Sequence, residues 1–155
     1  MLEDVIIKKT SNPDDGYTDE DELFLDTLTH IDDVGKVMNM LASHMEDIGD
    51  WHDNTKLEFF EEFSKDTLER KSTPDFKQRE WYGIHTSKER HHVNACVPDK
   101  VDFFDLLEMI VDCCVAGKAR AGVVNDEFLI ISDDILKDAY WNTVKKIKDS
   151  IILEK

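Results

Sequence analysis

Six histidines occur in the chain, and five of them, His30, His52, His85, His91 and His92, fall where they could act together, with Asp53 directly after His52. Neutral imidazole and carboxylate are the donors that suit borderline divalent metals such as Mn, Fe, Ni, Co or Zn, and a carboxylate can bridge two ions. Asp112 is the acid that joins them. Its neighbours one turn either way are Glu108, Met109, Val115 and Ala116, and a carboxylate in so apolar a setting is costly to bury without a cation. Lys56 lies one helical turn after Asp53. His44 stands apart, 14 residues after His30 and about 21 Å away along a helix, too far to share an ion.

These side chains need helices to carry them. From about Asp19 to Ile48, Phe24, Leu28, Ile31, Met38, Leu41, Met45 and Ile48 step by three, four or seven, the spacing of one helical face. His30 lies beside Val34, Val37 and Leu41, so its ring is expected to look towards the core. Gly49-Asp50 ends this helix, and a second follows in which His52, Lys56, Phe59, Phe60 and Phe63 share a face. Residues Ser64 to about Phe76 read as a loop. A third helix runs from about Phe76 towards His91 or His92, where adjacent side chains would diverge by about 100°. After Pro98-Asp99, a fourth spans Val101 to Ala119 on Phe104, Leu107, Val111, Cys114 and Val115. Gly122 to Ile131 reads equally as short extended pieces or a loop. Ser132 has the character of an N-cap, with Asp133 and Asp134 in the first turn of a final helix to about Leu153. The fold expected is all-α, a compact bundle of about five main helices over residues 19–155, preceded by an arm over residues 1–18 that holds the turn cluster Asn12-Pro13-Asp14-Asp15-Gly16. Ligands on several helices of a bundle can converge on one point.

A chain of 155 residues, 41% hydrophobic, is long enough for one domain with a core. Its 35 acidic against 19 basic residues leave a net charge of -16, which repels nucleic-acid phosphates and anionic lipid. No apolar run spans a bilayer and the N-terminus lacks the order of a secretion signal, so a cytoplasmic location is expected, with neither nucleic acid nor membrane as partner. Cys96, Cys113 and Cys114 do not form a disulfide framework. Trp51, Trp81 and Trp141 read as core anchors.

The order His30, His52-Asp53, His85, His91-His92, Asp112 resembles that of the HD-domain metallohydrolases in their dinuclear form, and Lys56 matches the H-D-x-x-K run of HD-GYP phosphodiesterases. A closer resemblance, over roughly residues 25 to 150, is to small HD-like proteins common in phage and bacterial genomes. The matching stretches are Thr29-His30-Ile31, His52 to Leu57, Arg90-His91-His92, Asp105 to Met109 through Asp112, and Asn142-Thr143. Relatives carry an aromatic where this chain has Cys113, and Pro-Glu-His where it has Val93-Asn94-Ala95.

The resemblance implies that Asp53 bridges two divalent transition-metal ions. His30, His52 and Asp112 would complete one site, and His85, His91 and His92 the other. It implies a phosphohydrolase in which water attacks phosphorus beside the cations, with Asp53 and Lys56 catalytic and a small phosphorylated molecule, a nucleotide first, as substrate. Two cations and Lys56 would make the pocket locally positive in an acidic protein. Arg120 is the residue chosen for substrate phosphate among Arg79, Lys88, Arg90, Lys118 and Arg120. Two rivals stand beside this reading: a di-iron oxygenase with the same ligand order, and an acidic decoy that mimics DNA.

Overall fold

The computed structural model describes residues 1–10, 16–17, 19–69 and 80–154. Among them the elements run β1 (Val5–Ile7), α1 (Glu20–Trp51), α2 (Thr55–Glu58), α3 (Phe60–Glu69), α4 (Glu80–Lys88), α5 (Phe103–Ala121), a 3-10 turn (Asp126–Leu129), α6 (Asp133–Ser150) and β2 (Ile151–Leu153). Among the described residues the fold is all-α apart from one short parallel strand pair, with α1, α3, α4, α5 and α6 as the main helices. No described helix is long and apolar enough to cross a membrane.

The chain forms two compact units, Met1–Asp47 with Val144–Lys155, and Ile48–Thr143. In the first, β1 pairs with β2 from Val5↔Ile151 to Ile7↔Leu153, and Glu154 N–H donates to the Ile7 carbonyl. The expected arm therefore holds a paired strand, and the last helix stops at Ser150 instead of Leu153. The pairing joins residues at opposite ends of the sequence, so no local periodicity announces it. Leu2 and Met40 are buried in this unit, as is Asp33, whose carboxylate accepts from Lys8 N–H at 2.9 Å and from the Lys36 ammonium at 2.8 Å. The turn cluster Asn12 to Asp15 lies outside the described residues.

The second unit has a core of Val93, Val101, Leu106, Met109 and Ala139, with Cys113, Ile131 and Ile135 packed against it. Its best-fixed helix is α5. Asp102 caps it by accepting from the Phe104 and Asp105 amides, while Asp105 accepts from Asp102 N–H, a reciprocal capping box. Gly122 closes the other end at φ 73, a left-handed conformation that favours glycine. From α6, Asn142 donates to the Val101 carbonyl and Thr143 Oγ1 accepts from Phe103 N–H, so the Asn142-Thr143 pair anchors the start of α5.

Several expectations change. The second helix is divided at Phe59 into α2 and α3, and α3 covers Ser64 to Glu69, which read as loop; residues 70–79, including the expected start of the third helix, lie outside the described set. Gly122 to Ile131 resolves into a cap and the 3-10 turn. Of the apolar residues whose spacing places α5, Phe104 is buried but Leu107, Val111 and Val115 are exposed, while Asp105, Leu106 and Met109 are buried. Trp81 is buried, but Trp51 and Trp141 are exposed. Ile135 N–H makes a long bond, 3.4 Å, to the Ser132 hydroxyl at the start of α6.

Candidate metal centre

α1 ends at Trp51, and the chain turns sharply through His52 and Asp53 before α2 begins. Asp53 sits at φ 57, a left-handed conformation that aspartate tolerates better than most side chains. Glu89 fixes the far side of the turn by accepting from Thr55 N–H at 2.9 Å. Helix α4 delivers His85 and stops at Lys88, so His91 and His92 lie in the following turn and not on a helix. Freed from helical geometry, the two adjacent rings stand with centroids 4.3 Å apart. That turn is clasped to α5, because Arg90 donates from Nε and Nη2 to the two oxygens of Asp105, both at 2.7 Å, and to the carbonyls of Asp99 and Lys100.

The result is a ring of Nε2 atoms around one carboxylate. His52 Nε2 is 3.4 Å from Asp53 Oδ2 and 3.5 Å from Asp112 Oδ1. His85 Nε2 and His91 Nε2 lie 3.3 and 3.6 Å from Asp53 Oδ1, and His92 Nε2 is 2.7 Å from His85 Nε2. The Nδ1 atoms of three rings lie near other groups: that of His85 is 2.6 Å from Thr55 Oγ1, and those of His52 and His91 are 2.9 and 3.0 Å from Glu108 Oε1. Trp81 stacks on His85, with centroids 4.8 Å apart and planes 13° from parallel.

The polar atoms here lack ordinary partners. Asp53 Oδ1 and His91 Nε2 are buried and make no hydrogen bond. His91 Nδ1 also makes none, although Glu108 Oε1 lies 3.0 Å away. Burial and the neighbouring His92, Lys56, His91 and His52 push His85 down to about 3; burial, then His91, pushes His92 down to about 4. Both rings are thus neutral at pH 7, the form that binds a metal. Donor atoms fall into groups close enough to hold a cation: His52, Asp53 and Asp112; Asp53, His85 and His92; and His52, His91 and Glu108. Buried unpartnered donors, neutral imidazoles and shared carboxylates fit a divalent transition metal.

Six of the seven residues read from the sequence as metal ligands, His52, Asp53, His85, His91, His92 and Asp112, are brought together. His30 is not in these groups. It belongs to the first unit and is exposed on α1, so its ring does not look into a core as expected. Of the residues it was read beside, Val34 is exposed and Val37 and Leu41 are half-buried. Lys56 is ion-paired with Asp53 Oδ2, and burial lowers its pKa against the pull of Asp112, with Arg120 lowering it further.

Beside these donor groups lies a cavity of about 600 Å³, lined by His91, His92, Asp112 and Arg120, with Tyr82, Met109, Cys113 and Phe128 as less polar walls. Of the other cations considered for phosphate, Arg90 is engaged by Asp105; Lys88 is 3.4 Å from Glu58 and lies over the Phe59 ring; Arg79 lies outside the described residues. Glu108 and Thr55 were not identified as site residues. Glu108 had been noted one turn before Asp112, and that i, i+4 spacing was the signal available.

Comparison with family models, with curated proteins and with solved structures finds no match to this chain.

Proposed function

We propose that the protein is an HD-type, metal-dependent phosphohydrolase that acts on a small phosphorylated substrate, with a nucleotide the first candidate. The observation that carries this reading is the convergence of the Nε2 atoms of His52, His85, His91 and His92 around Asp53, whose inner oxygen is buried without a hydrogen bond. His52, Asp53 and Asp112, and Asp53 with His85, His91 and His92, are the residues that would hold the metal. One or two such ions, when bound, would polarise the phosphate and acidify a water.

The remaining groups serve the substrate. The cavity beside His91, His92 and Asp112 is of the size that takes a small organic phosphate, since ligand pockets usually run to ~300–1,000 Å³. Arg120 lines it and presents a fixed positive fork suited to phosphate oxygens. Lys56, already paired with Asp53, would add a second cation next to the reacting phosphate. Together they offset locally a net charge of -16.

The test is phosphate release by the purified chain from a panel of nucleotides and simple phosphoesters, with Mn²⁺, Fe²⁺, Co²⁺, Ni²⁺ or Zn²⁺ supplied. Replacing an outer partner of a metal ligand costs about 10–100-fold, so Asp53→Asn should lose more than that, while Arg120→Ala should chiefly raise KM. Full hydrolysis by Asp53→Asn would reject the reading. Oxygen uptake coupled to substrate loss, without phosphate release, would replace it with the di-iron oxygenase.

A further inference from the structure

Asp105, Glu108 and Asp112 are spaced by three and four residues along α5, which places three acids on one stripe of the helix. Asp112 stands among the metal-ligating donors, and Asp105 secures the turn that bears His91 and His92 through Arg90. Glu108 lies between them with its side chain only 15% exposed, and a single oxygen, Oε1, is 2.9 Å from His52 Nδ1 and 3.0 Å from His91 Nδ1. These histidines come from separate segments, the turn after α1 and the turn after α4.

A carboxylate oxygen only accepts, so a neutral ring that bonds to it must carry its proton on Nδ1. The His52 ring meets Glu108 in hydrogen-bonding geometry, which leaves the Nε2 lone pair directed at Asp53 and Asp112. For His91 the same oxygen supplies a negative charge at Nδ1 while Nε2 faces Asp53. We infer that Glu108 is a positioning residue of the metal centre: its carboxylate orients His52 with the ring proton on Nδ1 and lies against Nδ1 of His91, so that both Nε2 atoms face the metal site around Asp53. This rests on the metal-centre reading given above, but not on the identity of the substrate. It also gives α5 a division of labour, with a ligand at Asp112, an orienting acid one turn earlier, and a clasp for the loop one turn before that.

The experiment is a Co²⁺ titration of the metal-free full chain, followed by visible absorption and X-ray absorption, on wild type, Glu108→Gln and Glu108→Ala. Helix content by circular dichroism checks that each is folded. The inference expects Glu108→Ala to bind Co²⁺ about 10–100-fold more weakly, with unchanged stoichiometry and an unchanged number of imidazole ligands. Glu108→Gln retains an acceptor oxygen and should recover much of that loss; because it keeps the side chain's shape, it also stands as the decisive variant if Glu108→Ala fails to fold. Wild-type affinity in Glu108→Ala, or in Glu108→Gln a lost oxygen ligand with affinity no better than that of Glu108→Ala, would overturn it, the latter by making Glu108 a direct ligand. A wild-type chain that binds Co²⁺ but releases no phosphate from any substrate would fail the phosphohydrolase reading alone and leave this titration decisive for Glu108.

Discussion

Both α1 up to Met38 and the whole of α5 step apolar residues by three, four or seven, yet in both helices much of that apolar stripe faces outward. Phe24, Leu28, Ile31 and Met38 are exposed on α1, and Leu107, Val111 and Val115 on α5. Beside Met40 on α1 and Phe104, Leu106 and Met109 on α5, each helix buries an acid with named partners: Asp33, held by Lys8 N–H and Lys36, and Asp105, held by Arg90 and the Asp102 amide. Periodicity locates a helix, whereas the burial of a carboxylate, tolerable only when it is bonded, marks which side faces in. The helices differ in what that inward face does. On α1 a single acid ties a helix to the segment after β1; on α5 a stripe of three acids organises the histidines.

The sharpest way to break this comparison is Asp105→Ala, which removes both the Arg90 clasp and half of the capping box. With the Arg90 end of the pair 44% exposed, the loss of the clasp and of half the cap should cost about 2 kcal/mol, read as a lower urea midpoint with unchanged m-value. A loss below about 0.5 kcal/mol would place Asp105 with ordinary surface residues.

A smaller effect is expected from pH. His85 and His92 are pushed down to about 3 and about 4 in the folded chain, from 6.5 when unfolded. Between those values the unfolded chain binds more protons, so the stability contributed by neutral rings is present above about pH 6.5 and is lost as pH falls towards 4. The metal-free protein should therefore melt several degrees lower at pH 5 than at pH 7, and His85→Gln should flatten that slope. An unchanged slope in His85→Gln would remove His85 as its source. The smallest effect belongs to Ile31→Ser on the exposed stripe of α1, which should shift stability by no more than about 0.5 kcal/mol in a urea melt; a loss above 2 kcal/mol would show that this face is covered.

Much of the site was legible because chemistry restricts it. Histidine and aspartate in the order His52-Asp53, His85, His91-His92, Asp112 have few uses in common, and their side chains do come together. His30 was taken in by the apolar company of Val34 and Leu41, which in the structure is not a buried face for that ring. Glu108 and Thr55 escaped notice because an orienting acceptor needs only one oxygen at the right place, and glutamate and threonine at such positions are common for other reasons. The all-α class followed from helical spacing. The β1–β2 pair did not, since three-residue strands from opposite ends carry almost no periodic signal. His91 and His92 were assigned to the end of a helix, yet α4 stops at Lys88 and the turn beyond it lets both rings face Asp53.

The central claim is that a cation is held around Asp53 by donors of the second unit, and counting bound metal tests it most directly. Metal analysis of folded wild type, His30→Ala and Asp53→Ala after saturation with Co²⁺ and removal of excess should find one or two ions per chain in the first two, and a clear loss of ions in Asp53→Ala. No ion in wild type, or the same number in Asp53→Ala, would contradict the account.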